Sequence, residues 1–207
     1  IPIKRVNESM SRFFTPEFLD DNWFGVSIDA GTRPPRVASV EAESPAAKAG
    51  LSVGDKILRV NGSENDSFID LASQLVGVGK DRTIQFQIER NGKKLDFTVE
   101  LIPENAVFNA CLIRQKIGAI LERLTPEVAE ALRLDSTDGF VISQVDKDTP
   151  AAKANLRPGL VVTSIDGRKI DDIIDAARIF HSKKKGDEVT LNIVQMSQRG
   201  IFVRQSS

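Results

Sequence analysis

SPAAKAGLSVGDKILRVNG, Ser44 to Gly62, returns near the far end of the chain as TPAAKANLRPGLVVTSIDG, Thr149 to Gly167. Pro45 matches Pro150, Gly54 matches Gly159, Ile57 matches Val162 and Gly62 matches Gly167, each pair 105 residues apart. The same separation continues past the block through Phe68 and Ile173, Ala72 and Ala177, and Leu75 and Phe180, with apolar character kept each time. A self-match of this length at one fixed offset settles the domain count before any local reading: the chain is a tandem repeat.

The 207 residues accommodate two domains of roughly 100 residues each. Hydrophobic residues make up 41% and charged residues 28%, a globular mix that lets each half bury a modest core. With 28 basic and 29 acidic residues the net charge is -1, which removes the electrostatic case for a nucleic-acid or membrane-surface partner. The Lys183-Lys184-Lys185 run reads as a solvated turn after a helix. The single cysteine, Cys111, excludes an internal disulfide and reads as a small buried or linker residue. No apolar run reaches the ~18 residues a membrane span needs, and no signal peptide opens the sequence. Because the first residue is Ile1, the chain is expected to be a piece of a longer protein.

Ile1 to Val6 is strand-like, and Asn7 to Phe18 reads as a connector helix. The first copy then predicts strands over Trp23–Asp29 and Arg36–Glu41, separated by a turn-rich stretch. Ser44 followed by Pro45 is a helix start, since Ser caps free amides and Pro gives up an amide that had no partner. Gly50 ends that short helix. A strand follows at Lys56–Val60 and closes at Asn61-Gly62. A helix over Ser67–Val76 carries Phe68, Leu71, Ala72 and Leu75 on one side. The strands Thr83–Glu89 and Lys94–Leu101 join through Asn91-Gly92.

Pro103 to Gln115 has no pattern of its own and is expected to be the linker. The second copy starts at Lys116–Ala119, and there the offset breaks: Gly25 and Gly118 are only 93 apart, twelve short. The extra residues are TPEVAEALRL, Thr125 to Leu134, an added helix with a Thr cap and Val128, Ala131 and Leu132 as its apolar stripe.

The strand start Phe24-Gly25-Val26, repeated as Ile117-Gly118-Ala119, the SPAAKAGL-type block and the turn-then-helix after Asn61-Gly62 or Asp166-Gly167 together resemble bacterial PDZ domains. TPEVAEALRL ahead of the second copy resembles the second PDZ of the HtrA, or Do-like, serine proteases, and IPIKRV resembles the last strand of their trypsin-like domain. The resemblance implies an α+β fold of two PDZ domains, each a small partly open β-barrel or sandwich capped by two helices, the second with one helix more. It divides the chain into 1–20 (end of a protease domain and connector), 21–103 (first PDZ), 104–115 (linker) and 116–207 (second PDZ). The second copy departs from the pattern at Leu160, where the first has Asp55, and at Asp166, where the first has Asn61.

A PDZ site works through backbone geometry. A loop ahead of the first strand turns amides inward as a nest for a carboxylate, and the strand edge accepts an extended peptide as an added strand. The resemblance assigns carboxylate binding to the amides of Phe24, Gly25 and Val26 and of Ile117, Gly118 and Ala119. The glycines are expected to matter because a side chain would crowd the peptide. The groove is assigned to Ile28, Phe68, Ala72 and Leu75 in the first copy and to Ile173, Ala177 and Phe180 in the second, although for Val26 and Leu71 a plain core role weighs equally. With apolar side chains at the first groove position, peptides with hydrophobic residues at the last position and two before it are favoured.

Serine-protease chemistry needs a nucleophile, an imidazole base and an orienting carboxylate. The only histidine, His181, ends the second groove helix, where a cation suits the helix dipole. No nucleophile loop and no cysteine–histidine cluster occurs, so the chain is expected to carry no catalytic residues, no metal and no cofactor. The resemblance implies the peptide-binding region of a serine endopeptidase of quality control, periplasmic or otherwise extracytoplasmic. Its partners would be C-terminal or extended peptides of misfolded or regulatory proteins, and its parent a trimer-based homo-oligomer. The alternative is a non-catalytic tandem-PDZ adaptor; a membrane-embedded zinc protease is a distant third.

Overall fold

The computed structural model describes residues 21–75, 82–197 and 200–206. The expected strand Ile1–Val6 and connector helix Asn7–Phe18 lie outside the described residues. The chain divides into two compact units, residues 1–106 and 107–207.

The first unit runs β1 (Asn22–Trp23), β2 (Val26–Asp29), β3 (Arg36–Val40), α1 (Pro45–Ala49), β4 (Lys56–Val60), β5 (Ser63–Glu64), α2 (Phe68–Leu75), β6 (Thr83–Arg90), β7 (Lys93–Glu100) and β8 (Ile102–Pro103). Its antiparallel sheet has the order β2-β3-β4-β6-β7 with β5 on β4, while β1 and β8 form a separate ribbon. The sheet stays open, so no barrel closes. The strand expected over Trp23–Asp29 is broken at Phe24-Gly25, because β1 pairs with β8 and β2 with β3. At α1, Ser44 Oγ accepts the Ala47 amide at 3.1 Å, and Gly50 closes the helix at φ 94°. The apolar face of α2 joins Val26, Ile28, Ile57 and Phe86 in one core, in which the Phe24 and Phe86 rings stack 5.5 Å apart.

The stretch expected to be a patternless linker is instead largely helical: α3 (Glu104–Val107) and α4 (Ala110–Ile117) occupy it. Asn109 caps α4 by accepting the Cys111 and Leu112 amides, and Gly118 closes it at φ 77°. Cys111, read as a small buried or linker residue, lies in this stretch and is exposed. The second unit continues with β9 (Ala119–Arg123), α5 (Pro126–Ala131), β10 (Phe140–Val145), α6 (Pro150–Lys153), β11 (Val161–Ile165), β12 (Arg168–Lys169), α7 (Ile173–Ser182), β13 (Leu191–Ser197) and β14 (Gly200–Ser206). Its open sheet reads β14-β13-β11-β10-β9 with β12 on β11. Register repeats with sequence: Ile57 faces Ile88 and Val162 faces Ile193, and both pairs sit beside the same irregularity.

The added helix of the second copy is α5, capped by Thr125, whose hydroxyl accepts the Val128 amide. Its buried side chain is Ala129, packed with Leu124 and Val161, while Ala131 is exposed. The helix is thus turned by part of a step from the stripe read in the sequence. Asp166 keeps the turn that Asn61 makes: both sit at φ 49°, and each side chain accepts a strand amide, from Gln85 at 2.9 Å or from Thr190 at 2.8 Å. Lys183 reaches Asp166 at 2.6 Å, so the first lysine of the Lys183–Lys185 run is paired rather than simply solvated.

Candidate functional site

In the first unit β2 ends its sheet, so its outer edge has no strand partner among the described residues. Along β2, Val26 and Ile28 point into the core and Ser27 and Asp29 to solvent. The α2 side chains Phe68, Ala72 and Leu75 keep 8%, 5% and 3% of their surface, whereas Leu71 keeps none. All four belong to one core, with Leu71 the most completely covered.

The loop at Phe24-Gly25 is held by backbone bonds on the side of α1 and β3. The Phe24 carbonyl accepts the Ala46 amide at 3.2 Å, and the Gly25 carbonyl accepts the Glu41 amide at 2.8 Å. A trans peptide sets its N–H opposite its C=O, so the Gly25 and Val26 amides are directed away from α1 and β3. Trp23 Nε1 donates to Glu41 at 2.8 Å and fixes the same corner. Gly25 sits at φ 77°, and a Cβ there would lie 2.1 Å from the Ser44 Cβ. The glycine is thus required by the chain's own helix cap, a different reason from the crowding of a peptide read in the sequence.

The second unit repeats part of this. β9 ends its sheet, Gly118 has φ 77°, and a Cβ there would meet Thr149 at 2.3 Å. Its carbonyl accepts the Asp146 amide at 2.8 Å, as Gly25 does with Glu41. The approach differs: Asn22-Trp23 is strand in the first copy, but the matching Gln115-Lys116 belongs to α4. Ile117 closes that helix, and the Gly118 amide donates to the Arg114 carbonyl at 2.8 Å. The assigned nest Ile117, Gly118 and Ala119 is therefore not arranged like the first. Ala177 and Phe180 keep 0% and 1% of their surface, and Ile173 is half-buried. His181 lies edge-on to Phe108, with centroids 5.3 Å apart.

α4 was missed in the sequence because its apolar content is scattered; its signals were the Asn109 cap, basic Arg114 and Lys116 in the last turn and Gly118 after it. Arg114 forms a two-pronged pair with Asp146 at 2.8 and 2.9 Å. The guanidinium, aided by Gln144, holds the Asp146 carboxyl below the usual range.

Two open-sheet modules in tandem, each setting a glycine loop and an edge strand beside a helix, define the class. The chain belongs to the PDZ domain family, whose model matches residues 23–101 and 117–199. Among its relatives is a protein named probable periplasmic serine endoprotease DegP-like from Pseudomonas putida (strain GB-1), 31% identical over 184 residues, covering 84% of this chain and 37% of that one. Proteins of the same name from Chlamydia pneumoniae, 30% identical over 171 residues (81% and 33%), and Bartonella henselae, 26% identical over 220 residues (98% and 43%), also match. The chain spans well under half the length of these relatives. Similar solved structures include the HtrA-type protease AlgW with tripeptide, TM-score 0.35, 27% identical, covering 49% of this chain and 38% of that one. The serine endoprotease from Yersinia pestis has TM-score 0.34 at 27% identity, with 49% and 36% covered. The periplasmic or extracytoplasmic location expected from the sequence agrees with the names of these relatives.

Proposed function

We propose that this chain is the peptide-binding region of a DegP-like periplasmic serine endoprotease, and that its first module captures apolar C-termini of misfolded or regulatory proteins. The observation that carries this reading is the juxtaposition in the first unit. A terminal strand edge, β2, shares one core with α2, and the Gly25 and Val26 amides at its head are directed away from the module's own α1 and β3. An extended peptide adds to β2 as a further strand, sets its carboxylate at Phe24–Val26 and rests its last side chain against Phe68, Ala72 and Leu75.

Burying one such side chain contributes about 1.5–3 kcal/mol, and together with the backbone bonds this places a short peptide near 1 μM, about -8 kcal/mol. The test is a fluorescence titration of the full chain with a labelled hexapeptide ending in Val-Ala-Val, against its carboxamide twin. Binding is expected to need the free carboxylate and to weaken at least tenfold in Ala72→Glu, which sets a charge on the groove wall. Equal binding by wild type and Ala72→Glu would sink the groove assignment.

A further inference from the structure

We propose that α4 is a built-in competitor for the second module's groove, so that this module accepts a peptide only when α4 lets go. The inference rests on the peptide-capture reading above and concerns where that capture is withheld. α4 packs on both walls of the groove, α7 and β9. Its one buried side chain is Ile113, at 0% exposure. Just ahead of it Phe108 is buried at 1%, with the Arg178 guanidinium of α7 4.4 Å above its ring.

The competition reaches single atoms. The Gly118 amide, which the first module's pattern assigns to a ligand carboxylate, donates to the Arg114 carbonyl. One N–H cannot serve both partners at full strength. Lys116 Nζ donates to the Lys183 carbonyl at 3.1 Å, and the Arg114–Asp146 pair ties the helix to the end of β10. Ala177 and Phe180, matched by position to Ala72 and Leu75, are covered more completely than their counterparts, whereas Ile173 is more open than Phe68.

A docked segment lowers apparent affinity by the fraction of time it leaves the site open. At eight residues α4 is too short to persist alone in water, so release means unwinding, and its hold is set by Ile113, Phe108 and Arg114. Directly before Gly25, Asn22-Trp23 pairs as strand with β8, where the matching Gln115-Lys116 is helical.

The experiment uses the full chain carrying Ala72→Glu, which silences the first groove, and the same Val-Ala-Val hexapeptide with its carboxamide twin. Ile113→Ala and, separately, Phe108→Ala are each expected to tighten free-carboxylate binding at least tenfold. Because either change can unfold the second module, a spin label on Cys111, the chain's single and exposed cysteine, supplies an independent reading. Saturating free-carboxylate peptide should mobilise that label, and the carboxamide should not. Unchanged or weaker binding in variants that keep the second module's thermal transition overturns the proposal. So does a label indifferent to saturating peptide. If the peptide binds wild type but no Ala72→Glu protein, with or without the α4 changes, this inference falls and first-module capture stands. If it binds no form at all, both fall.

Discussion

At the scale of single residues, Gly25 and Gly118 show how one atom couples a ligand loop to the fold. Each lies against the hydroxyl residue that caps the following short helix, Ser44 or Thr149, leaving no room for a methyl group. Both also hold φ 77°, where a β-carbon is strained. Gly25→Ala is therefore expected to cost about 1–3 kcal/mol of first-module stability with no peptide present, read from urea melts. If the variant melted like wild type yet bound no peptide, the glycine would instead serve the ligand's approach. The sequence marked these glycines through their repeated Φ-Gly-Φ setting. It could not give the reason, because Ser44 is nineteen positions from Gly25 and only the fold brings them together.

Elements were legible wherever chemistry was concentrated in a few adjacent residues. Ser44-Pro45, Thr125-Pro126 and Thr149-Pro150 each start a helix with the expected capping bond, and the Asn61-Gly62 and Asp166-Gly167 turns fall where read. α4 escaped because it presents no stripe: its only buried side chain is Ile113, and its binding to the module depends on α7 and β9, far along the chain. The resemblance assigned Phe68, Ala72 and Leu75 to a groove, and the structure buries all three in the first core, which offset could not give because burial depends on the sheet beneath. The turn at Asp166 supports a pH test. The Lys183 hydrogen bond, then the Thr190 amide, lowers its pKa. A carboxyl depressed in the folded state adds stability above its unfolded pKa, about 3.9, and loses that contribution as pH falls through the lower folded value. Asp166→Asn keeps an acceptor for Thr190, as Asn61 does for Gln85, but gives up the charge pair. Urea melts should show the variant less stable by about 0.5–1 kcal/mol at pH 7, with the gap closing as pH falls below the unfolded value and through the lower folded one; a gap that did not change with pH would mean the pair adds nothing.

Over the whole molecule, the two copies share strand register while stabilising it differently. In the first, buried Asp55 accepts both Nε and Nη2 of Arg90 at 2.7 Å and the Ser52 amide at 2.8 Å, and Arg90 also reaches the Gly50 carbonyl. That cluster joins the α1 C-terminus to the turn before β4 and the end of β6. At the matching positions 105 residues on, the sequence has Leu160 and Gln195, so both charges are replaced together. A buried carboxylate and its guanidinium are costly to separate but replaceable as a pair. Asp55→Ala should therefore destabilise the first module by about 3 kcal/mol, the low end for a buried pair, because Arg90 keeps 31% of its side-chain surface in water. The double change Asp55→Leu with Arg90→Gln, which copies the second repeat, should recover more than half of that loss. Since each unit has its own sheet and compact contacts, calorimetry of the full chain should show two transitions, with Asp55→Ala moving only one. A single transition displaced as a whole would mean that the repeats fold as one body, and the charge pair would then stabilise both.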